Sequence, residues 1–221
     1  MSGDELVWTI VVAGGSGARF GAAKQYELLD DRRVIDHARS VAEMASAGVV
    51  VVVPAVDVER EGGVAGGSTR SDSVRAGLAE VPLEATIICV HDAARPLATF
   101  ELYGRVIAAV RAGADAAIPA LEVTDTIKVI DRGKAGGIDG ATVISTPDRS
   151  TLVAVQTPQA FRSSALRAAH GQAGSATDDA ALVEAFGGLV VVVAGERTNR
   201  KITDPDDLEW ARRALAGGTP G

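Results

Sequence analysis

A short apolar run that breaks into glycines is the feature that most constrains how this chain can fold. Residues 8–12 (WTIVV) fit a buried strand, and residues 13–17 (AGGSG) follow it directly. Because glycine has no Cβ and tolerates positive φ, backbone N–H groups in such a loop can approach an anion closely. Arg19 and Lys24 add two cations to the same loop. Fixed donors with two cations predict a polyphosphate site after the first strand.

The G-x-G-x-x-G fingerprint of dinucleotide-binding loops fits this loop less well. Its third glycine falls on Phe20, and Gly21 comes one place too late. The acid expected after the next strand is also missing, because the apolar run at residues 49–53 ends at Pro54. The Walker pattern G-x-x-x-x-G-K-[ST] does not occur in the sequence. A tight strand-to-loop turn with solvated Arg19 and Lys24 stays open as the alternative without function.

Composition narrows the class of fold and of partner. Of the 221 residues, 47% are hydrophobic but only 4% are aromatic, so the core must be aliphatic, as in a parallel sheet covered by helices. A formal net charge of −7 argues against a nucleic-acid partner or an anionic membrane surface. The single cysteine, Cys89, cannot form an internal disulfide and fits a buried small side chain. No apolar stretch reaches the roughly 18 residues of a membrane span, so we expect no membrane partner and a cytoplasmic location.

Strand-like and helix-like stretches alternate along the first half of the chain. Strands are expected at residues 8–12, 49–53, 86–90 and 116–121, and helices at 33–47, around 74–78 and at 99–112. This alternation predicts an α/β fold with a doubly wound, mostly parallel, Rossmann-like sheet and right-handed crossovers. At this length one domain, residues 1–221, is expected rather than two.

The pattern changes after residue 121. Strand-like residues 123–130 and 141–145 flank a glycine-rich turn at 133–140, with no helix between them. This predicts a β-hairpin arm, about residues 123–149, inserted in the domain. Small α/β domains often dimerise through such an arm, and a surface excursion without a partner is the alternative. Beyond it we expect strands at 152–156 and 189–193, helices near 163–170 and 177–186, and a last helix from the Asp204-Pro205 cap through Leu215.

Asp92 is the most informative acid. It stands just beyond the carboxyl end of a predicted strand, where open α/β sheets bind ligands. One carboxylate beside a phosphate loop suits Mg²⁺, which prefers one or two carboxylates together with substrate phosphates. A turn-capping aspartate is the alternative. We expect His91 to orient its neighbours or to pack in the core, since three histidines assemble no zinc site.

A second group of cations and hydroxyls occurs later in the chain. Its cations are Arg149, Arg200 and Lys201, and its hydroxyls, at apparent strand ends or helix starts, are Thr126, Thr157 and Thr177. Cations with hydroxyls suit a phosphorylated, polyhydroxylated substrate. Each residue alone fits a surface position or a helix cap better. The prediction therefore rests on their number and on their place relative to the sheet.

Longer motifs carry a family resemblance. The chain contains, in this order, AGGSGARFGAAKQYELL, GGSTRSDSVRAGL, VHDAARP, TDTIK, AVQTPQAF, TDDAALVE and NRKIT. Over about residues 8–212 the chain resembles the 2-C-methyl-D-erythritol 4-phosphate cytidylyltransferases of the non-mevalonate isoprenoid pathway. The resemblance implies transfer of CMP from CTP to the sugar-alcohol phosphate, release of pyrophosphate, and a need for Mg²⁺. It also implies a nucleotidyltransferase sheet and a homodimer formed by paired hairpin arms.

The resemblance assigns roles to matching residues. Catalysis would fall to Arg19, Lys24, Arg149 and Lys201. The nucleotide would be held by Ala13, Gly14, Gly15, Gly17, Gly67, Ser68, Ser73, Asp92 and Ala93, with Asp92 also binding the metal. The methylerythritol phosphate would be bound or oriented by Thr126, Arg149, Thr157, Thr177 and Lys201. Because the acceptor phosphate is already an anionic nucleophile, we expect no general base and no covalent intermediate.

The chain also departs from the family pattern. Lys24 lacks the usual preceding proline, and Ala-Gly-Gly at 13–15 replaces the commoner Ala-Ala-Gly, a change shared with the ribitol 5-phosphate cytidylyltransferases. Ser68 stands where an acid is often found, so its contact with the base would be through backbone only. A ribitol 5-phosphate acceptor stays open, as do an NAD(P)-dependent oxidoreductase and a non-catalytic nucleotide-binding module. Nothing resembling a cyclodiphosphate synthase follows the last motif, so the single-function form is expected.

Overall fold

A computed structural model describes residues 5–14, 20, 23–133, 136–171 and 178–217. The strands are β1 (Val7–Val12), β2 (Leu28–Leu29), β3 (Arg32–Arg33), β4 (Gly48–Val53), β5 (Val64–Ala65), β6 (Ile87–Asp92), β7 (Ala116–Glu122), β8 (Val129–Asp131), β9 (Thr142–Ser145), β10 (Val153–Val155), β11 (Gln159–Arg162) and β12 (Val190–Ala194). The helices are α1 (Val34–Ala45), α2 (Val58–Glu61), α3 (Arg70–Glu80), α4 (Phe100–Arg111), α5 (Ser163–Gly171), α6 (Asp179–Ala185) and α7 (Pro205–Leu215). Short 3-10 turns occur at Lys24–Tyr26, Ala55–Asp57 and Arg149–Thr151.

A mainly parallel sheet forms the centre. Within the described residues it has eight strands, in the order β10-β7-β11-β6-β1-β4-β5, with β12 also paired to β7. The strands β4, β1 and β6 run parallel, and Val11 of β1 is in register with Val51 on one side and His91 on the other. The carboxyl ends of β1 and β6 therefore lie side by side. This confirms the predicted α/β class and parallel sheet.

Aliphatic side chains cover the sheet on both faces. Alternate residues of a strand point to opposite faces, so Val7 and Val11 of β1 belong to a cluster that includes α1 and α4. Ile10 belongs to the cluster on the other face, which includes α3, α5 and α6. Cys89 is buried and unpaired with another cysteine, as predicted. In the part of the chain that the structure describes, no helix is long and apolar enough to cross a membrane.

The segment from residue 153 to 162 contains two strands, whereas the prediction placed a single strand at 152–156 before the helix near 163–170. Because β12 takes one edge of β7 along residues 116–120, β10 and β11 share the other edge. Val155 pairs with Ala120 and Ala160 pairs with Ala117, so the four residues 156–159 lie opposite only two residues of β7 and the chain bulges between β10 and β11. The short antiparallel strand β11 fills the gap between β6 and β7. Its four residues carry little strand signal of their own, and pairing with neighbours on both sides decides their conformation.

Other boundaries also needed correction. Strand β6 runs through Asp92, so this acid ends the strand instead of following it. Of the strand expected at 123–130, only Val129–Asp131 is regular. The polar, glycine-rich residues 57–67 contain the short elements α2 and β5.

The predicted hairpin and the predicted final helix are both present. Strands β8 and β9 pair antiparallel in a small sheet of their own, with a register shift near Val129. The role of this arm in dimerisation stays a prediction, as does the treatment of residues 1–221 as one domain. Helix α7 begins at Pro205, and the Asp204 side chain accepts the N–H of Asp207, as the cap predicted.

Candidate active site

A cavity of about 430 Å³ opens at the carboxyl ends of β1 and β6. Past the end of β1, the N–H of Ala13 still donates to the Val52 carbonyl at 2.7 Å, and past β6 the N–H of Ala93 donates to the Val12 carbonyl at 3.0 Å. These bonds fix Ala13 and Ala93 at the edge of the sheet where α/β folds bind ligands. The cavity is lined by Val12, Ala13, Gly14, Phe20, Lys24, Gln25, Gly67, Ser68, Thr69, Arg70, Ser73, Asp92, Ala93, Ala94, Lys201 and Thr203.

Asp92 lies on the wall of this cavity between two cations. Its carboxylate accepts from Lys201 Nζ at 2.7 Å and from Arg70 Nε at 3.3 Å, and its side chain is 12% exposed. Burial alone would raise the pKa of Asp92, but the charges of Arg70 and Lys201 outweigh it and hold that pKa well below its ordinary value. Asp92 is therefore ionised at neutral pH. It is the one carboxylate among the described residues that line the cavity.

Arg70 was given no role by the sequence analysis, yet it lies at the centre of the site. It is the first residue of α3, directly after the N-cap Thr69. Besides Asp92, its guanidinium reaches Asp179, with Nη1 at 2.6 Å from Oδ2. Burial would lower the pKa of Arg70, but the two carboxylates outweigh it and raise that pKa. The sequence feature that could have indicated a role for Arg70 is its position in the motif GGSTRSDSVRAGL, immediately after a helix cap.

His91 and Thr157 hold the backbone of Asp92 from within the sheet. Burial lowers the pKa of His91 to about 4, so its ring is neutral at neutral pH. Nε2 lies 3.2 Å from the carbonyl oxygen of Arg95 and must donate to it, which leaves Nδ1 as an acceptor. The Thr157 hydroxyl therefore donates to Nδ1 at 3.1 Å and accepts the N–H of Asp92 at 3.0 Å. Thr157 is thus committed to orienting Asp92, and His91 plays the orienting part that the sequence suggested.

The segment before α3 packs tightly against the start of that helix. The N–H of Gly67 donates to Ser73 Oγ at 3.2 Å, and Ser73 Oγ donates to the Thr69 carbonyl at 3.0 Å. A Cβ on Gly67 would lie 2.2 Å from the Cβ of Asp72, so a larger residue would displace the helix start. Ser68 Oγ donates to Asp72 Oδ2 at 2.9 Å, which leaves the backbone of Ser68 for contacts in the cavity.

The turn that carries Lys24 is anchored by Tyr26. Lys24 begins the 3-10 turn and lines the cavity. The Tyr26 hydroxyl donates to Asp57 Oδ2 at 2.8 Å, and Cζ of Arg60 lies 4.2 Å from the centroid of the ring. Burial and the hydrogen bond to Asp57 raise the pKa of Tyr26 to about 12. These contacts hold the 3-10 turn in place and therefore fix the backbone position of Lys24.

The structure brings some predicted site residues together and not others. Those that line the cavity are Ala13, Gly14, Lys24, Gly67, Ser68, Ser73, Asp92, Ala93 and Lys201. Thr126 and Arg149 are exposed and line no part of it, and Arg149 Nη1 donates to the Thr124 carbonyl at 2.6 Å. Thr157 does not line the cavity and bonds to the backbone of Asp92. The other predicted residues, Gly15, Gly17, Arg19 and Thr177, lie outside the described residues.

The donors present fit a metal ion that is shared with a ligand. No cluster of three or more His, Cys, Asp or Glu side chains that could hold a metal occurs among the described residues. Asp92 supplies a single ionised carboxylate facing a cavity that Lys24, Arg70 and Lys201 also line. A hard cation such as Mg²⁺ binds through one or two carboxylates when phosphates supply further oxygens. The arrangement can thus receive a polyphosphate with its metal and stabilise charge that develops on it.

Comparisons with known proteins point to one family. A family model described as 2-C-methyl-D-erythritol 4-phosphate cytidylyltransferase matches residues 7–216. The protein of that name from Rhodococcus jostii (strain RHA1) is 44% identical over 225 residues, which cover 96% of each chain. The bifunctional enzyme IspD/IspF of Anaeromyxobacter dehalogenans is 44% identical over 229 residues, and the match covers 96% of this chain but 57% of that relative. The crystal structure of 2-C-methyl-D-erythritol 4-phosphate cytidylyltransferase from Thermus thermophilus matches with a TM-score of 0.76 and 32% identity, over 94% of this chain and 98% of that one.

Proposed function

The chain belongs to the 2-C-methyl-D-erythritol 4-phosphate cytidylyltransferase family, and we propose that it transfers CMP from CTP to 2-C-methyl-D-erythritol 4-phosphate. The products are 4-diphosphocytidyl-2-C-methyl-D-erythritol and pyrophosphate. The proposal is carried by the ionised Asp92, which is paired with Lys201 and Arg70 in a cavity that Ala13 and Gly14 also line. Such a site fits a nucleoside triphosphate with its metal, beside an anionic acceptor.

The nucleotide would occupy the side of the cavity nearest β1 and α3. The glycine loop, with Ala13, Gly14, Gly15 and Gly17, would present N–H groups to the triphosphate, together with Arg19 and Lys24. Gly67, Ser68, Ser73 and Ala93 would frame the cytosine and ribose. The tight packing around Gly67 supports this role, because a fixed backbone can select one base edge by hydrogen bonding.

The acceptor would bind beside Lys201. The Lys201 ammonium can pass from Asp92 to the acceptor phosphate, since both are anions and the lysine side chain is 41% exposed. Thr177 would add a hydroxyl, whereas Thr157 would act through Asp92. Thr126 and Arg149 lie on the exposed arm, so we propose that they reach the cavity of a second copy in a homodimer.

Asp92 would hold Mg²⁺ together with the triphosphate, and the bound metal would supply positive charge that neutralises the phosphate oxygens. Asp92→Asn should therefore shift activity to much higher Mg²⁺ concentrations without unfolding the chain, because an amide is a poorer ligand for a hard cation. Activity titrated against Mg²⁺ measures this. An unchanged curve would make Asp92 a residue of purely structural importance.

The residues need to do little covalent chemistry. A phosphate oxygen of the acceptor forms a bond to the α-phosphorus of CTP, the bond from that phosphorus to the bridging oxygen breaks, and pyrophosphate leaves. No proton has to be removed from the nucleophile, so no general base is required. Arg19, Lys24 and Lys201 would bring two anions together and stabilise the charge that moves onto the leaving group.

The test is release of pyrophosphate from CTP and Mg²⁺ with and without 2-C-methyl-D-erythritol 4-phosphate. We expect release only with the acceptor, and a product whose mass equals that of acceptor plus CMP less water. Binding of CTP without release would indicate a non-catalytic nucleotide-binding module, and binding of NADH instead would indicate an oxidoreductase. We also propose that an enzyme consuming CTP works in the cytoplasm, which cell fractionation would check.

A further inference from the structure

Arg70 is shared unequally between two carboxylates. Its Nη1 lies 2.6 Å from Oδ2 of Asp179, whereas its Nε lies 3.3 Å from Oδ1 of Asp92. Charge-assisted hydrogen bonds of this kind are strongest at about 2.7–2.9 Å. The stronger hold is therefore the one from Asp179, which draws the guanidinium away from Asp92.

Asp179 is itself held on its other side. It is the first residue of α6 and is 0% exposed. Its second oxygen, Oδ1, lies 2.9 Å from Nε2 of His170 on α5, and His170 is buried too. A buried carboxylate is costly unless its oxygens are paired, and here both are. The pair of His170 and Asp179 thus forms a fixed anchor behind Arg70, and nothing in the proposed chemistry yet uses it.

We propose that Asp179, steadied by His170, is a positioning residue that keeps Arg70 from closing on Asp92 and so leaves the Asp92 carboxylate accessible to Mg²⁺. The inference rests on the proposed function of this site. Without the charge of Asp179, the Arg70 guanidinium would have Asp92 as its one nearby carboxylate among the described residues. In the structure Oδ2 of Asp92 accepts from Lys201, and Oδ1 has only the longer contact with Arg70. A closer, two-pronged pair with Arg70 would hold Oδ1 tightly as well, and the metal would have to displace a firmly bound guanidinium to reach it.

Substitutions at the two ends of this ion pair are therefore expected to affect metal binding differently. Asp179→Asn removes the charge that competes for Arg70, so Arg70 pairs with Asp92 and metal binding weakens. Arg70→Gln removes the competing cation, so it leaves metal binding unchanged or strengthens it. A salt bridge with a structural role alone would give changes of the same sign, because both substitutions remove the same contact.

The direct measurement is binding of Mn²⁺, used in place of Mg²⁺, in the presence of CTP, with free ion counted by electron paramagnetic resonance. We expect Asp179→Asn to weaken Mn²⁺ binding by roughly tenfold or more, as loss of a group supporting a metal ligand commonly does. When Arg70→Gln is already present, adding Asp179→Asn should not weaken Mn²⁺ binding further, because the two residues act through one contact. Weaker metal binding in Arg70→Gln, or unchanged binding in a folded Asp179→Asn, would overturn the inference.

Two further variants separate charge from folding. Asp179→Glu keeps the charge and should retain most of the metal affinity. Asp115→Asn removes an acid that is paired with Arg162 at 3.4 Å outside the cavity, so it should bind Mn²⁺ as the unmodified chain does. If thermal melting shows that Asp179→Asn does not fold, His170→Gln replaces it and should weaken metal binding in the same direction. Because the readout is binding of metal and CTP, it stands even if the unmodified chain transfers no CMP, an outcome that would count against the proposed function alone.

Discussion

At the scale of single residues, the site depends on charges held in fixed positions. Asp92 is restrained through its carboxylate by Arg70 and Lys201 and through its backbone by Thr157. Fixed charges stabilise a developing charge without having to reorganise, which is why they are effective in catalysis.

Lys24→Ala should lower kcat by roughly two orders of magnitude or more, a common result of deleting a charge-stabilising group. The cause is the position of Lys24 on the cavity wall, on a turn anchored by Tyr26. Steady-state pyrophosphate release measures it. Arg213→Ala is the matched control, since Arg213 is exposed on α7 and pairs with Glu209 of its own helix. Near-normal turnover of a folded Lys24→Ala enzyme would remove Lys24 from the mechanism.

The buried His91 should make the free energy of unfolding depend on pH. Its pKa is lowered by burial from 6.5 to about 4 in the folded chain. Between those values the unfolded chain binds the proton and the folded chain does not, so the free energy of unfolding falls as the pH falls. A shift of this size corresponds to ~3 kcal/mol across the whole range.

The measurement is urea unfolding at about pH 7 and about pH 4.5, for the unmodified chain and for His91→Gln. The variant cannot titrate at this position, so its difference in unfolding free energy between the two pH values should be smaller. An equal difference in the two proteins would show that His91 does not titrate as its burial requires.

At the scale of elements, the arm is the part least supported by its own chain. A two-stranded hairpin alone is marginal in water, and the arm exposes Val129, Ile138, Val143 and Ile144. A second copy of the chain would cover such a surface symmetrically. The arm hypothesis therefore makes a prediction about assembly as well as about catalysis.

In the proposed homodimer, Ile144→Glu would bury a charge at the interface between arms, so this variant should sediment as a monomer where the unmodified chain sediments as a dimer. Ile144 is 65% exposed within one chain, and Val56→Glu is the control because Val56 is 91% exposed and lies outside the arm. Deleting residues 134–139 should act in the same direction. Both arm variants should raise the KM for the acceptor phosphate more than they weaken CTP binding. A monomer with full activity would contradict the shared site.

Elements with strong local signals could be predicted from the sequence. Helix α7 is marked by the Asp204-Pro205 cap, and β1 and β4 by their runs of β-branched residues. Strand β11 could not be found, because its conformation comes from partners at β6 and β7 that lie far away in the sequence. The bulge before it places Thr157 beneath Asp92, which is also a property of the pairing and not of the segment.

At the scale of the whole molecule, the site is assembled from distant parts of the chain. Lys201 and Asp92 are 109 residues apart, and so are Arg70 and Asp179. The sequence predicted Asp92 as a site residue from its place at the end of a strand, and Lys201 from its group of cations and the motif NRKIT. The role of Arg70 could not be inferred, since it depends on where α6 packs relative to α3. Motifs therefore predict which loops meet, and the folded chain determines which charges pair.

Transfer of CMP by this site to a methylerythritol phosphate can be tested with a competition assay. Equal concentrations of 2-C-methyl-D-erythritol 4-phosphate and ribitol 5-phosphate are incubated together with the enzyme, CTP and Mg²⁺. The ratio of the two cytidine diphosphate products, read by mass spectrometry at low conversion, equals the ratio of kcat/KM values. We predict an excess of the methylerythritol product of roughly a hundredfold or more, as expected when a site hydrogen-bonds its own substrate. Equal amounts of the two products, or an excess of the ribitol product, would contradict the account.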